Sequence, residues 1–274
     1  MNELLDNPAV QAGVAPFLVA LVVAAILGRS RLLGLAIGAG FLTTVALVMG
    51  LSFESLTSVR KMVLVGLLAT LAVLVLELAK LQPKMRVRVV LAVLAGAAAV
   101  WVLLRVLLQQ PLAGALLTAA AAAIYLALLS DSTTAASGDS VRASAAALMS
   151  GLGAGALALL GASAMLAQIG IAVGAASGAT LLVQMIAGRR APAGWTLALP
   201  ASLAAGLVGL LAVFTGELRW YCLLPTLAVP WAVRLVPAGA RAVWLTAIMA
   251  SAAALVPMLF AVGLAWFAAA APST

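Results

Sequence analysis

Histidine is absent from this sequence and cysteine occurs once, at Cys222. A lone thiol rules out a disulfide within the chain. Without imidazole the usual zinc and haem ligand sets cannot be assembled, so neither a metal nor a cofactor is expected. Charge is also scarce: only 8% of the 274 residues are Asp, Glu, Lys or Arg, against about a quarter in a soluble domain. That is too few polar side chains to clothe a water-facing surface. Paired carboxylates within an apolar run, an aspartate-rich diphosphate motif and a nucleotide-binding glycine loop in its proper context are all missing. The sequence therefore offers no constellation for catalysis, and an enzyme is not expected. The first ten residues hold Glu3 and Asp6 but no cation, unlike the basic start of a cleaved signal peptide, so the first apolar run is expected to be retained.

What the chain has in abundance is hydrocarbon, with 66% of its residues hydrophobic. A membrane helix needs about twenty mostly apolar residues and satisfies its own backbone in lipid. Apolar runs between charges, Pro and Gly number ten, at approximately 8–28, 32–53, 61–79, 87–108, 112–129, 143–160, 162–187, 193–215, 220–233 and 242–270. The expected fold is all-α, a polytopic transmembrane bundle of about ten spans whose principal partner is the lipid bilayer. Gly161 alone separates the sixth and seventh runs, and Pro225 and Pro230 interrupt the short ninth.

The net charge of +8 raises the question of nucleic acid, but the fifteen Lys and Arg residues come in ones and twos between apolar runs. A nucleic-acid site would need a continuous basic face, so no such partner is expected. Placing the N-terminus outside assigns eleven cations to the cytoplasmic side (Arg29, Arg31, Lys80, Lys84, Arg86, Arg88, Arg142, Arg189, Arg190, Arg234 and Arg241) and four (Arg60, Lys61, Arg105 and Arg219) to the outer side. This is the positive-inside pattern, and it alternates loop by loop. It predicts both termini in the periplasm of a bacterial cytoplasmic membrane, a setting that the Ala-, Leu-, Gly- and Arg-rich composition also fits.

The one long hydrophilic stretch, residues 130–142 (SDSTTAASGDSVR), reads as a flexible cytoplasmic linker. It would join a first five-helix half, 1–129, to a second, 143–274, and two halves with odd span counts must face opposite ways. An offset of 136 residues sets Gly34 on Gly170, Gly38 on Gly174 and Thr44 on Thr180, a short match that motivates an inverted repeat.

Gly34 and Gly38, and likewise Gly170, Gly174 and Gly178, are spaced for close helix packing. If the second and seventh spans crossed at the centre, they would also line a substrate path. Candidates for that path are the polar groups in spans: Thr43, Thr44, Gln168, Ser177, Thr180 and Gln184. Glu77, near the cytoplasmic end of the third span, is either an ion-pair partner of Lys80 or a coupling carboxylate. Arg105 and Arg234 lie at span ends, where the guanidinium reaches the headgroups. Two functions follow. One is a small secondary transporter, or a translocator of lipid or small molecules. The other is a noncatalytic subunit or scaffold that binds other membrane subunits.

The topology is tested by reporter fusions: a fusion after Arg190 is expected to report the cytoplasm, and one after Gln110 the periplasm. The opposite result at either site overturns the count of spans.

Overall fold

Apolar runs of this length have one economical way to hide their peptide groups, and the computed structural model, which describes residues 7–50, 56–79, 85–192, 195–237 and 242–270, is helical through nearly all of them. The helices are α1 (Val10–Leu27, opening with a π-helical turn), α2 (Leu35–Val48), α3 (Ser58–Leu78), α4 (Met85–Leu107), α5 (Leu112–Ala136), α6 (Ser140–Leu160), α7 (Ala164–Ala187), α8 (Trp195–Phe214), α9 (Val229–Arg234) and α10 (Val243–Ala270). All but α2 and α9 are long and apolar enough to cross a membrane, which makes eight such helices among the described residues. The chain is a multi-pass membrane protein.

The two short elements gain reach from tighter winding. A 3-10 segment, Trp220–Ala228, leads directly into α9. At about 2.0 Å rise per residue for 3-10 and 1.5 Å for α, the two together extend about 27 Å, close to a hydrocarbon thickness of about 30 Å. α2 is preceded by turns in which Leu35, Ala36 and Ile37 donate to the carbonyls three residues back, at 2.9, 3.1 and 3.0 Å.

Contacts at helix ends give each element a direction. At one end Arg88 meets Asp131, Arg190 meets Asp139, Arg142 donates to the Val236 carbonyl, and Thr196 donates to the Arg31 carbonyl. At the other, Lys61 donates to the Trp101 carbonyl and the Glu217 amide to Gly161. Successive elements therefore run antiparallel, and the first of these ends, rich in arginine, is termed the basic end. Gly161 does part α6 from α7, through a Schellman turn. The Ser163 amide bonds the Ala158 carbonyl at 2.9 Å and the Ala162 amide bonds Leu159 at 3.1 Å. The left-handed residue this motif needs is Ala162, at φ 60°, rather than the glycine before it.

The stretch expected to be a flexible linker is instead mostly helix. α5 runs on to Ala136 and α6 starts at Ser140, with Asp139 as its N-cap. Most of these polar residues are buried, because each finds an internal partner. Ser130, Ser132, Thr133, Thr134 and Ser137 donate back to carbonyls three or four residues earlier on their own helix, at 2.6–3.1 Å. The two acids are held by Arg88 and Arg190. Hydroxyls that bond their own helix leave a surface that packs like an apolar one.

Burial is uneven. The most apolar window of α8 is 89% buried, and those of α6 and α7 67% and 61%, against 22% for α1 and α5. The core is thus α6, α7 and α8, with the remaining helices around it. α6 and α7 approach closely through glycines on both: a Cβ on Gly155 would stand 2.9 Å from the Ala167 carbonyl oxygen, and one on Gly170 2.5 Å from the Gly155 amide nitrogen. Gly151 faces Gly174 in the same way. The partner of the α7 glycines is therefore α6, not the second span. Gly34, the N-cap of α2, faces the Thr196 peptide of α8, and Gly38 within α2 faces Thr70 of α3. The contact of α2 with α7 is made by Gly40, whose Cβ would lie 2.6 Å from that of Ala176.

Replacing Gly151 or Gly174 by leucine forces these backbones apart and is expected to cost about 1–3 kcal/mol or more in detergent or bicelle unfolding assays. Gly263→Ala, on α10 with no atom within 4 Å of the added methyl, should be neutral or slightly stabilising. Equal losses for the three would show that the glycine contact does not carry the α6–α7 pair.

Candidate functional site

Near the basic end, α6, α7 and α10 enclose a set of polar groups that lipid-facing helices would not tolerate singly. Asp139 caps α6 by accepting the Val141 amide at 3.0 Å, and its other oxygen accepts Arg190 Nε at 3.1 Å. The same guanidinium reaches the Thr246 hydroxyl of α10 at 3.2 Å. Asp139 is 7% exposed and Thr246 fully buried, so the pair is a partly desolvated lock between three elements.

One turn deeper sits Gln184, whose amide makes every bond it has to offer. Its oxygen accepts from Ser140 Oγ at 2.6 Å and from the Ala191 amide at 3.4 Å. Its nitrogen donates to Ser144 Oγ at 3.0 Å and to the Thr180 carbonyl at 3.2 Å. An amide without partners in hydrocarbon costs several kcal/mol, and this one has none to spare. Beyond it, the Thr180 hydroxyl lies 3.2 Å from Ser144 Oγ and 2.7 Å from the Ser177 carbonyl, and Ser177 donates to Val173 at 2.7 Å. Ser177, ten residues from the end of α7, lies about 15 Å inside the helix end, near the middle of a bilayer. There the track stops, because the next turn of α7 is Gly174, pressed against Gly151.

Of the residues singled out from sequence, Ser177, Thr180 and Gln184 share this cluster. Thr44 and Thr43 do not. The Thr44 hydroxyl bonds the Gln11 carbonyl of α1 at 2.8 Å and that of Thr43 bonds Ala39 in its own helix at 2.9 Å, at the opposite end of the bundle. Gln168 is half-buried near the start of α7, about 24 Å along the helix from Gln184. The polar groups of α2 and α7 therefore do not converge on a common path. Glu77 lies at the basic end of α3 within electrostatic reach of Arg31; its expected partner Lys80 falls outside the described residues. Arg234 stacks on Trp231, 4.8 Å from the ring centre.

Asp139, Ser140, Ser144, Arg190 and Thr246 were not among the candidates: the first two and Arg190 lie between the expected spans, and Ser144 and Thr246 just inside the ends of theirs. An Asp directly before an apolar helical run is an N-cap signal, and it was the one clue available for Asp139.

Among the described residues, voids beside Tyr125 and beside Phe41 measure about 10 Å³ each, room for a single water. Two larger openings among the described residues are peripheral. A groove of about 460 Å³ lies between α3 and α4 over Leu199 and Leu203 of α8. Its walls are Leu, Val, Ala and Trp101, so it suits a hydrocarbon chain and has little with which to hold or pass a polar headgroup. A second opening of about 440 Å³ separates α1 from α7 at the basic end.

Comparison of the chain with protein-family models, curated proteins and solved structures returns no match.

Removing one partner from a buried ion pair costs about 3–5 kcal/mol, because the charge left behind has no water to turn to, and the cost falls towards about 0–1 as that charge becomes exposed. Arg190→Met is therefore expected to destabilise the protein markedly in thermal unfolding. Arg88→Met should cost less, since the carboxylate it strands, Asp131, is 35% exposed where Asp139 is 6%. Similar losses for the two variants would remove the distinction drawn between these pairs.

Proposed function

We propose that this chain is a small carrier for a polar solute, working by alternating access, with the basic-end half of its path between α6, α7 and α10. The observation that carries the reading is the polar track from Asp139 and Arg190 through Gln184, Ser144 and Thr180 to Ser177. Buried ion pairs are often replaceable by apolar residues at no loss of stability, so packing alone gives little reason for a carboxylate as buried as that of Asp139, whose side chain is 6% exposed, at this end of the bundle. Ionisable and amide groups within a membrane bundle more often mark a solute or ion pathway. The Asp139–Arg190 bond acts as the basic-side gate, and the Gly151–Gly174 contact closes the path at the midplane.

Ten crossings with both termini in the periplasm fit this reading. The 3-10 segment and α9 serve as the ninth crossing, and the basic end faces the cytoplasm of a bacterial inner membrane. Two inverted five-helix halves have partial support: α2 packs on α7 and α3 on α8, as a two-fold axis requires. Against them, the extensive contacts of α1 with α7 and of α10 with α6 lack counterparts of similar extent. The alternative, a noncatalytic subunit or scaffold, draws support from the tightly filled centre.

The readings part on water access. In a Cys222→Ala background, Ser177→Cys and Thr180→Cys are expected to react with a membrane-impermeant thiol reagent from the cytoplasmic side, while Ala158→Cys, beyond the glycine contact, stays inert. Silence at both positions, together with a stoichiometric membrane partner in mild detergent, would replace the carrier by the subunit.

A further inference from the structure

Of three acids near the basic end, Asp131 is paired with Arg88 and Asp139 with Arg190, and Glu77 lies within electrostatic reach of Arg31. Arg29 and Arg189 are exposed and pair with no acid among the described residues. Both line the opening of about 440 Å³ between α1 and α7, and below them its walls are apolar, with Leu21 and Ile26 from α1 and Val183 and Ile186 from α7. Ile26 and Ile186 are 75% and 77% exposed, so the trough is open sideways to the bilayer.

Backbone geometry explains how two adjacent arginines come to serve different sites. α7 ends at Gly188, which takes the left-handed conformation with φ 63°, and the chain reverses there. Arg190 turns inward to Asp139 and Thr246, which leaves Arg189 at the mouth of the trough. Gly28, at the end of α1, lets that helix close on α7, since a Cβ there would meet Val183 at 3.2 Å. The carbonyl ends of α1 and α7 also point this way, and each contributes about half a negative charge. Two full guanidinium charges exceed that, so the mouth remains attractive to an anion.

We infer that this trough binds one anionic phospholipid, with its phosphodiester between Arg29 and Arg189 and an acyl chain lying along the Leu21–Ile26 and Val183–Ile186 walls. A cationic mouth above a hydrocarbon trough matches a lipid better than a soluble phosphate, which would leave the apolar walls unfilled. Basic pockets between membrane helices at the cytoplasmic surface are a recurrent lipid-binding arrangement. The inference is independent of the carrier reading, because the trough lies on the far side of α7 from α6 and α10.

Native mass spectrometry of the full chain, delipidated and then exposed to phosphatidylglycerol or phosphatidylcholine, tests it. One phosphatidylglycerol per chain should be retained at least ten-fold better than phosphatidylcholine. The double variant Arg29→Gln, Arg189→Gln should abolish that preference, while Arg105→Gln, at the opposite end, leaves it intact. Both substituted residues are exposed, so the double variant should keep the parent thermal stability. Excess inorganic phosphate should compete weakly. Equal retention of the two lipids, an unchanged preference in the double variant, or displacement by phosphate alone would each overturn the assignment.

Discussion

The close approach of α6 and α7 sets the register on which the polar cluster depends. Gly151 faces Gly174, and Gly155 faces Gly170. Because the helices are antiparallel, going back along α6 to Ser144 and Ser140 covers about the same distance as going forward along α7 to Gln184, on the order of 10–16 Å. The glycine contact thus delivers the Gln184 amide to the two serines. A slip of one turn would leave that amide unpaired in hydrocarbon at a cost of several kcal/mol. Dispersion at the midplane and hydrogen bonding near the surface therefore select the same arrangement.

The need to satisfy polar groups without water accounts for other features. Residues 130–137 hold their helix because Ser and Thr hydroxyls return to their own carbonyls. Tyr125 and Thr226, both buried, share a bond of 2.8 Å that ties α5 to the 3-10 segment. Proline in α8 removes the amide that would bond Thr196, and this peptide is the one that Gly34, the N-cap of α2, approaches. In each case a sequence element that would weaken a helix in isolation is matched to a neighbour.

The cations at the basic end divide according to where the backbone sends them. Arg88 and Arg190 turn to acids and join helices, whereas Arg29 and Arg189 face outward over an apolar trough. The arginines at this end thus divide into those that lock the bundle and those that supply the outward charge on which the proposed lipid site rests.

Much was legible in the residues alone: apolar run length marked the crossing helices, Gly161 marked the break between α6 and α7, and Ser177, Thr180 and Gln184 stood out as polar groups in lipid. These are local properties, since hydropathy and turn chemistry are carried by neighbours in the chain. Which helix faces which is not local. Composition made 130–142 look like a solvated linker because a hydroxyl bonded to its own helix is indistinguishable, in sequence, from one bonded to water. The pairing of Gly170 and Gly174 with α6 rather than α2, and of Asp139 with Arg190 fifty-one residues away, was decided by tertiary packing. Close backbone contact selects among many glycine-bearing faces only when the whole bundle is assembled.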